Sequence, residues 1–165
     1  MIKVENILQD VFSDIEPVSG HNKLLFHFGE QKELDSVIQT RQENNQYTYP
    51  LLWYIMPNEL TGYLGYAEGD MRFVLAHNTE LEWFNDQRFR EVFNTVLQPN
   101  FDLVIKKIKN ASRLDFVGEF NYRYTNYPNY GNPTTFEGKD SAKQINYWDA
   151  IGFTLNLRAY GVNEC

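Results

Sequence analysis

Two apolar runs decide the fold of this chain: YPLLWYIMP at residues 49–57 and MRFVLAH at residues 71–77. Both runs are short and rich in aromatic and aliphatic side chains, which is typical of strands buried inside a sheet. Pro50 and Pro57 bound the first run. A strand is expected to end at such residues because proline cannot donate a backbone hydrogen bond to a neighbouring strand. The sequence therefore predicts two core strands.

A long helix is predicted after the second run. The apolar residues beyond residue 86 recur on one helical face: Phe89, Val92, Phe93, Val96 and Leu97, then Phe101, Val104, Ile105 and Ile108. Pro99 lies inside this pattern. Because proline lacks the amide that would bond the Thr95 carbonyl and its ring crowds that turn, we expect the helix to bend near Pro99.

The N-terminal part of the chain predicts elements that pack on these strands. Apolar residues at helical spacing between residues 4 and 15 indicate an amphipathic helix whose stripe lies on the sheet. Residues 23–28 indicate the first strand. Residues 30–43 are polar, with apolar positions that fit either a short helix or a second strand.

The C-terminal part predicts further strands. Residues 116–124 indicate one strand with its aromatic residues on a single face, and residues 153–159 alternate apolar and polar side chains. The glycines between residues 61 and 70 indicate a hairpin connection.

At 165 residues the chain has the length of one domain, 1–165. We predict an α+β fold, with a mostly antiparallel sheet packed by an N-terminal helix and one long kinked helix.

One segment cannot contribute to a conventional core. Between Gly118 and Gln144 the chain has no Leu, Ile, Val or Met, and residues 126–133 are rich in turn-forming Asn, Pro and Gly. We therefore predict a protruding hairpin or loop arm at about residues 121–147. Exposed aromatic residues are enriched at protein interfaces, so the candidate partner interface is Tyr122, Tyr124, Tyr127, Tyr130 and Tyr147. Alternatively, the arm folds back and covers its own sheet.

The charge and the cysteine count exclude several classes of function. The formal charge of −7 argues against a surface that grips nucleic-acid phosphates, because that affinity comes from clustered Lys and Arg. The single cysteine, Cys165, allows no internal disulfide and no thiolate metal site. No apolar run approaches the ~20 residues of a membrane span, and the N-terminus does not resemble a signal peptide.

The titratable residues predict no catalytic and no metal site. His21, His27 and His77 are scattered, and His27 and His77 lie in predicted strands, where a hydrogen-bonded structural role is favoured. Acidic residues around Trp83 could form a paired-carboxylate site, but they precede a helix, where acids complement the dipole and cap free amides. Lys106, Lys107 and Lys109 lie near the helix C-terminus, where positive charge is favoured. We predict no enzymatic activity and no cofactor.

The chain resembles tail-terminator or tail-completion proteins of tailed bacteriophages. The resemblance covers about half the chain and rests on five segments: YPLLW at residues 49–53 with Pro57, RFVL at 72–75, WFNDQR at 83–88, VLQP at 96–99, and the ending from YWDAI at 147–151 to Cys165. It implies a small α+β subunit that forms a ring, commonly six-fold, at the head-proximal end of the tail.

Such a ring ends tail-tube assembly and docks to head-completion proteins. The resemblance thus implies a virion protein assembled in the host cytoplasm. Its partners would be copies of itself and other tail or connector proteins, with DNA passing through the channel without specific binding and no membrane. A connector ring on the head side is a related possibility. The Tyr-rich arm departs from the simplest members and also suits a tail or baseplate adaptor. A monomeric protein- or glycan-binding module using the arm is the alternative outside a phage.

Overall fold

A seven-stranded sheet organises the protein, as seen in a computed structural model that describes residues 1–18, 20–56, 58–80, 82–130 and 148–161. The strands are β1 (Leu25–Glu30), β2 (Leu51–Met56), β3 (Thr61–Gly62), β4 (Tyr66–Asn78), β5 (Leu114–Phe116), β6 (Tyr122–Tyr130) and β7 (Trp148–Tyr160). The main order is β1-β2-β4-β7-β5, with β3 beside β4 and β6 beside β7. Only the β1–β2 pair is parallel, so the sheet is mostly antiparallel, as predicted.

Helices cover both faces of the sheet. Helix α1 (Val4–Phe12) and the long helix lie on one face, and α2 (Leu34–Glu43), which follows a 3-10 turn (Gln31–Glu33), lies on the other. The long helix consists of three consecutive segments, Asn85–Arg88, Phe89–Leu97 and Gln98–Asn110. The α+β prediction is confirmed, and of residues 30–43, for which a helix or a strand was predicted, Glu30 ends β1 and the remainder is helical.

The two cores use alternate residues of the same strands. Phe73 and Leu75 of β4 lie in the core beneath α1 and the long helix, whereas Val74 and Ala76 lie in the smaller core beneath α2. This alternation follows from the pleat, which sends successive side chains to opposite faces. A strand between two covered faces reads as a continuous apolar run, which explains the two runs that mark β2 and β4.

The long helix departs from α geometry immediately before Pro99. Its middle segment, Phe89–Leu97, has the wider i→i+5 hydrogen bonding of a π-helix. Side chains also bond carbonyls here: the Thr95 hydroxyl donates to Glu91, and the Asn100 amide donates to the Val96 carbonyl at 2.8 Å. The long helix is confirmed, and the bend of its axis near Pro99 stays a prediction.

The prediction of one strand over residues 116–124 was wrong. The chain instead forms β5 and β6, separated by a turn in which Gly118 has a φ of 73°. That left-handed conformation suits glycine and cannot occur within a regular strand. Both strands pair with β7, at Leu157–Ala159 and at Trp148–Leu155.

The arm begins as part of the sheet. Its first half contains β6, which forms an antiparallel pair with β7. Residues 131–147, the remainder of the predicted arm, lie outside the described residues, and so does Pro57, the predicted end of β2.

Candidate functional site

The predicted interface tyrosines divide between the two faces of β6. Tyr122 lies opposite Leu155 and Tyr124 opposite Phe153, so both point to the face covered by the long helix. Tyr127 lies opposite Ala150 and points to the other face. Tyr130 ends the strand, its side chain is not among those described, and Tyr147 lies outside the described residues.

Tyr122 and Tyr124 are exposed although they lie on a covered face. The two residues are 38% and 59% exposed and lie on a strand that pairs on one side only among the described residues. Their rings are 5.8 Å apart between centroids, and Tyr122 also contacts Phe101 of the long helix at 5.1 Å and Phe120 at 5.5 Å. These rings form a continuous aromatic surface that is partly open to solvent.

A groove runs between the long helix and the start of β6. It has a volume of about 430 Å³, and its walls include Phe101, Ile105, Phe120 and Tyr122. Two lysines, Lys106 and Lys109, lie on the helical wall, and the Lys109 ammonium is 4.5 Å from the centre of the Phe120 ring. The groove therefore combines aromatic side chains with charges of both signs, because Asp102 also lies on its helical wall.

Tyr127 has a different environment. Its ring lies over Gly152 of β7, where a Cβ atom would come within 2.9 Å of Tyr127 Cε2. The side chain is half-buried and packs on the core beneath α2. Tyr127 thus supports the sheet, and the exposed aromatic surface centres on Tyr122 and Tyr124.

Two of the edge strands, β1 and β6, differ in how their backbone hydrogen-bonding groups are satisfied. The Leu25 amide donates to the Pro50 carbonyl, so by alternation the Phe28 and Glu30 amides of β1 point away from β2. His27 Nδ1 accepts from the Phe28 amide at 2.9 Å and the Glu33 carboxylate accepts from the Glu30 amide at 2.8 Å. These bonds block the β1 edge, as edge strands often are blocked against pairing.

Among the described residues, no side chain forms a comparable hydrogen bond to the backbone in the first half of β6. Within the described part of the chain β6 pairs with β7 alone, so one edge of β6 has no neighbouring strand. Pro128 and a register shift between Tyr127 and Tyr130 interrupt the far end of the strand. Among the described residues, the stretch from Tyr122 to Asn126 is therefore the regular part of this edge that lacks a neighbouring strand.

The histidines have structural environments. His27 stacks on Trp53, with ring centres 5.2 Å apart, and makes the hydrogen bond predicted for it. The structure brings together His21 and His77, which are far apart in sequence, with ring centres 6.1 Å apart, and Tyr49 contacts His77 at 6.0 Å. Burial, and secondarily His21, lowers the pKa of His77 to about 4.

The predicted hydrogen bond of His77 is not formed at Nδ1, which is buried and has no partner among the described residues. Nor do those residues contain a group of three or more metal-binding side chains.

The acidic residues at the start of the long helix were predicted to complement its dipole and to cap its free amides, and the structure shows the first of these arrangements without the second. Asp86 lies in the first turn of the helix, where its charge complements the dipole. Phe84 is the N-cap residue, and no side chain caps the free amides there, so the capping part of the prediction was wrong.

A buried ion pair at this end of the sheet was missed in the sequence. Arg88 Nη1 lies 3.0 Å from Asp149 Oδ1, and both side chains are almost completely buried. The guanidinium also donates to the Thr79 hydroxyl at 3.1 Å and to the carbonyls of Trp83 and Glu80 at 2.9 and 2.8 Å. Arg88 thus ties the loop before the long helix to β7. The sequence did contain a signal for this pair. Arg88 lies four residues before Val92, which places a charged side chain on the apolar stripe of the helix.

Comparison with known proteins adds no relative: no protein-family model, no curated protein and no solved structure matches this chain. None of the helices in the described part of the chain combines the length and apolar character that crossing a bilayer requires.

Proposed function

We propose that this protein is a non-enzymatic structural protein of a tailed-phage virion. It forms a ring at the head–tail junction or tail end, ends tail-tube assembly and joins the head to the tail. The observation that carries the proposal is β6, an open edge strand that exposes Tyr122 and Tyr124 beside an aromatic groove. Contiguous exposed aromatic surface is characteristic of protein interfaces, and an open edge strand can accept a strand from a partner.

The asymmetry of the sheet supports assembly with a defined direction. The edge at β1 is blocked by His27 and Glu33, whereas the edge at β6 has no neighbouring strand between Tyr122 and Asn126 in the part of the chain that the structure describes. Of these two edges, the β6 edge is the one that can accept a strand from a partner. Contacts between two different surfaces repeat around a ring, as the resemblance to tail-terminator proteins implies.

The net charge of −7 supports a channel that DNA crosses without binding. DNA phosphates are attracted to clustered Lys and Arg, and an acidic protein repels them at distances within the screening length. The ring would therefore surround DNA without retaining it.

A second candidate function uses the same surface. A monomeric binding module would recognise a protein or glycan through Tyr122 and Tyr124, since exposed aromatic rings serve either role. The two candidates differ in mass, because the module stays monomeric and the ring does not.

Tail-tube polymerisation tests the proposal. Tube subunits polymerised with this protein should give tubes of limited length that carry a ring at one end, seen by negative-stain electron microscopy. Replacement of Tyr122 and Tyr124 by Ser should abolish the ring and restore long tubes. Tyr47→Ser is the matched control, because Tyr47 is similarly exposed, at 47%, and lies near α2 through its contact with Arg41. Tubes of unchanged length with the wild-type protein would overturn the proposal.

A further inference from the structure

A cleft lies between α2 and the β1 edge of the sheet, at the opposite edge from β6. Its volume of about 520 Å³ falls within the range of about 300 to 1,000 Å³ that is typical of small-molecule sites. One wall is a single face of α2, formed by Ser36, Val37, Thr40 and Arg41, with Glu33 immediately before the helix. The sheet forms the other wall, so the cleft is built on two regular elements.

The sheet wall is flat and preordered. His27 and Trp53 lie opposite each other on β1 and β2, and their rings stack 11° from parallel with centres 5.2 Å apart. Trp53 Nε1 donates to the Gly29 carbonyl at 3.2 Å, and His27 Nδ1 accepts from the Phe28 amide at 2.9 Å. Val37 borders the same space from α2 and is half-buried. A flat apolar group can pack here at a small entropy cost, because these side chains are already fixed.

Arg41 is a fixed cation in this cleft. Its Nε and Nη2 donate to the Tyr47 carbonyl at 3.2 and 2.9 Å, and the guanidinium lies 5.8 Å from the centre of the Tyr47 ring. These two hydrogen bonds leave donors of the guanidinium available, because arginine has five N–H groups. Within the part of the chain that the structure describes, no ion pair includes Arg41. A planar guanidinium of this kind is suited to bind a carboxylate.

The other polar groups of the cleft limit the charge of its ligand. The Thr40 hydroxyl donates to the Ser36 carbonyl at 2.8 Å, whereas the exposed Ser36 hydroxyl can donate to a ligand. The Glu33 carboxylate also lines the cleft and accepts from the Glu30 amide at 2.8 Å. Glu33 lies eight positions before Arg41, about 12 Å along a helix. One cation and one anion leave no charge to neutralise a doubly charged phosphate, so a single negative charge at the Arg41 end fits best.

We propose that this cleft binds a small monocarboxylate with a flat, ring-containing body. Arg41 and the Ser36 hydroxyl hold the carboxylate. The ring packs against Val37 and the stacked pair of His27 and Trp53. The site lies away from Tyr122 and Tyr124 and does not depend on the proposed assembly.

A series of ligands that differ only in the head group tests the chemistry. Isothermal titration calorimetry should show that 2-naphthoate binds with a dissociation constant of about 1 mM or lower, the affinity that ordinary ligand efficiency gives a molecule of this size. The neutral 2-naphthamide should bind at least about tenfold more weakly, because it forms no charge-assisted hydrogen bonds. The more highly charged 2-naphthyl phosphate should also bind more weakly than 2-naphthoate. No binding of 2-naphthoate, or equal or tighter binding of either analogue, would overturn the inference.

Nuclear magnetic resonance locates the ligand. In the ¹⁵N-labelled protein the indole signal of Trp53, identified by its loss in Trp53→Phe, should shift on addition of 2-naphthoate. The indole signals of Trp83 and Trp148, which do not line the cleft, should shift less. Larger shifts at Trp83 or Trp148 than at Trp53 would contradict the assigned site.

Substitutions on α2 test the head group and the space separately. Arg41→Met should raise the dissociation constant of 2-naphthoate at least about tenfold, because the charged donors are lost. The matched control is Arg90→Met, since Arg90 is exposed on the long helix. Ser36→Trp should fill the cleft and abolish binding, whereas Gln39→Trp, also exposed on α2 but outside the cleft, should leave binding unchanged.

The groove beside β6 is the competing location, because it also combines aromatic rings with lysines. Lys106→Glu/Lys109→Glu should leave the affinity for 2-naphthoate unchanged. Circular dichroism checks folding, and Ser36→Trp keeps the test valid if Arg41→Met unfolds, because Ser36 is exposed. Unchanged affinity in folded Ser36→Trp, or loss of binding only in Lys106→Glu/Lys109→Glu, would overturn the inference.

Discussion

Removing one partner of the buried Arg88–Asp149 pair should strongly destabilise the fold. Arg88→Met leaves the Asp149 carboxylate, which is fully buried, without its positive partner. It also removes donors from the Thr79 hydroxyl and from the carbonyls of Trp83 and Glu80. An uncompensated buried charge costs about 3 to 5 kcal/mol, and each unsatisfied polar group adds to it. We therefore expect a loss of at least about 3 kcal/mol in the free energy of unfolding.

Urea denaturation followed by tryptophan fluorescence measures this loss. In thermal denaturation of the same variant the Tm should fall by at least about 6 °C, because for a chain of this length 1 kcal/mol corresponds to about 2 to 4 °C in Tm. The double variant Arg88→Met/Asp149→Leu buries no charge and should recover much of the stability, although two carbonyls stay without their donor.

Arg90→Met is the control, because Arg90 is exposed and its ion pair with Glu91 lies on the surface. A loss below about 1 kcal/mol in Arg88→Met, or additive losses in the double variant, would refute the assignment of a coupled buried pair.

Three further substitutions test the packing and the pH dependence. Leu97→Ala should cost about 2 to 5 kcal/mol because Leu97 is fully buried, whereas Asn94→Ala on the exposed face of the same helix should cost less than about 0.5 kcal/mol in the same urea titration. Gly152→Val should cost about 1 to 3 kcal/mol by displacing the Tyr127 ring, and Tyr127→Ala in the same chain should relieve most of that cost. Between pH 6.5 and about 4 the unfolded chain protonates His77 and the folded protein does not, so stability falls by up to about 3 kcal/mol as the pH falls. His77→Phe should flatten this part of the pH profile, and parallel profiles for the two proteins would contradict the buried neutral state.

The fold could be predicted from the sequence where a local pattern determined it. The apolar runs in β2 and β4 and the 3.6-residue stripe of the long helix report burial directly, because a strand or helix repeats its buried positions at a fixed spacing. The division of residues 116–124 into two strands was missed because it depends on the conformation of Gly118, which periodicity does not report.

The candidate site was predictable only in part. The absence of aliphatic residues beyond Gly118 identified an aromatic segment, in which Tyr122 and Tyr124 are exposed. Their role in an interface stays a prediction. The sequence did not separate these residues from Tyr127. Successive side chains of a strand point to opposite faces, but the sequence does not say which face of β6 is covered by the long helix. The groove and the Arg88–Asp149 pair arise from residues far apart in the chain, and no local spacing encodes them.

The mass of the protein in solution tests the central claim most directly. Native mass spectrometry or light scattering should find a single closed oligomer, and the six-fold ring implied by the resemblance has six times the chain mass of 19.5 kDa. Tyr122→Ser/Tyr124→Ser should shift the protein to monomers without unfolding it, while Tyr47→Ser should keep the oligomer. A wild-type protein that stays monomeric at high concentration, alone and with tail-tube subunits, would contradict the account.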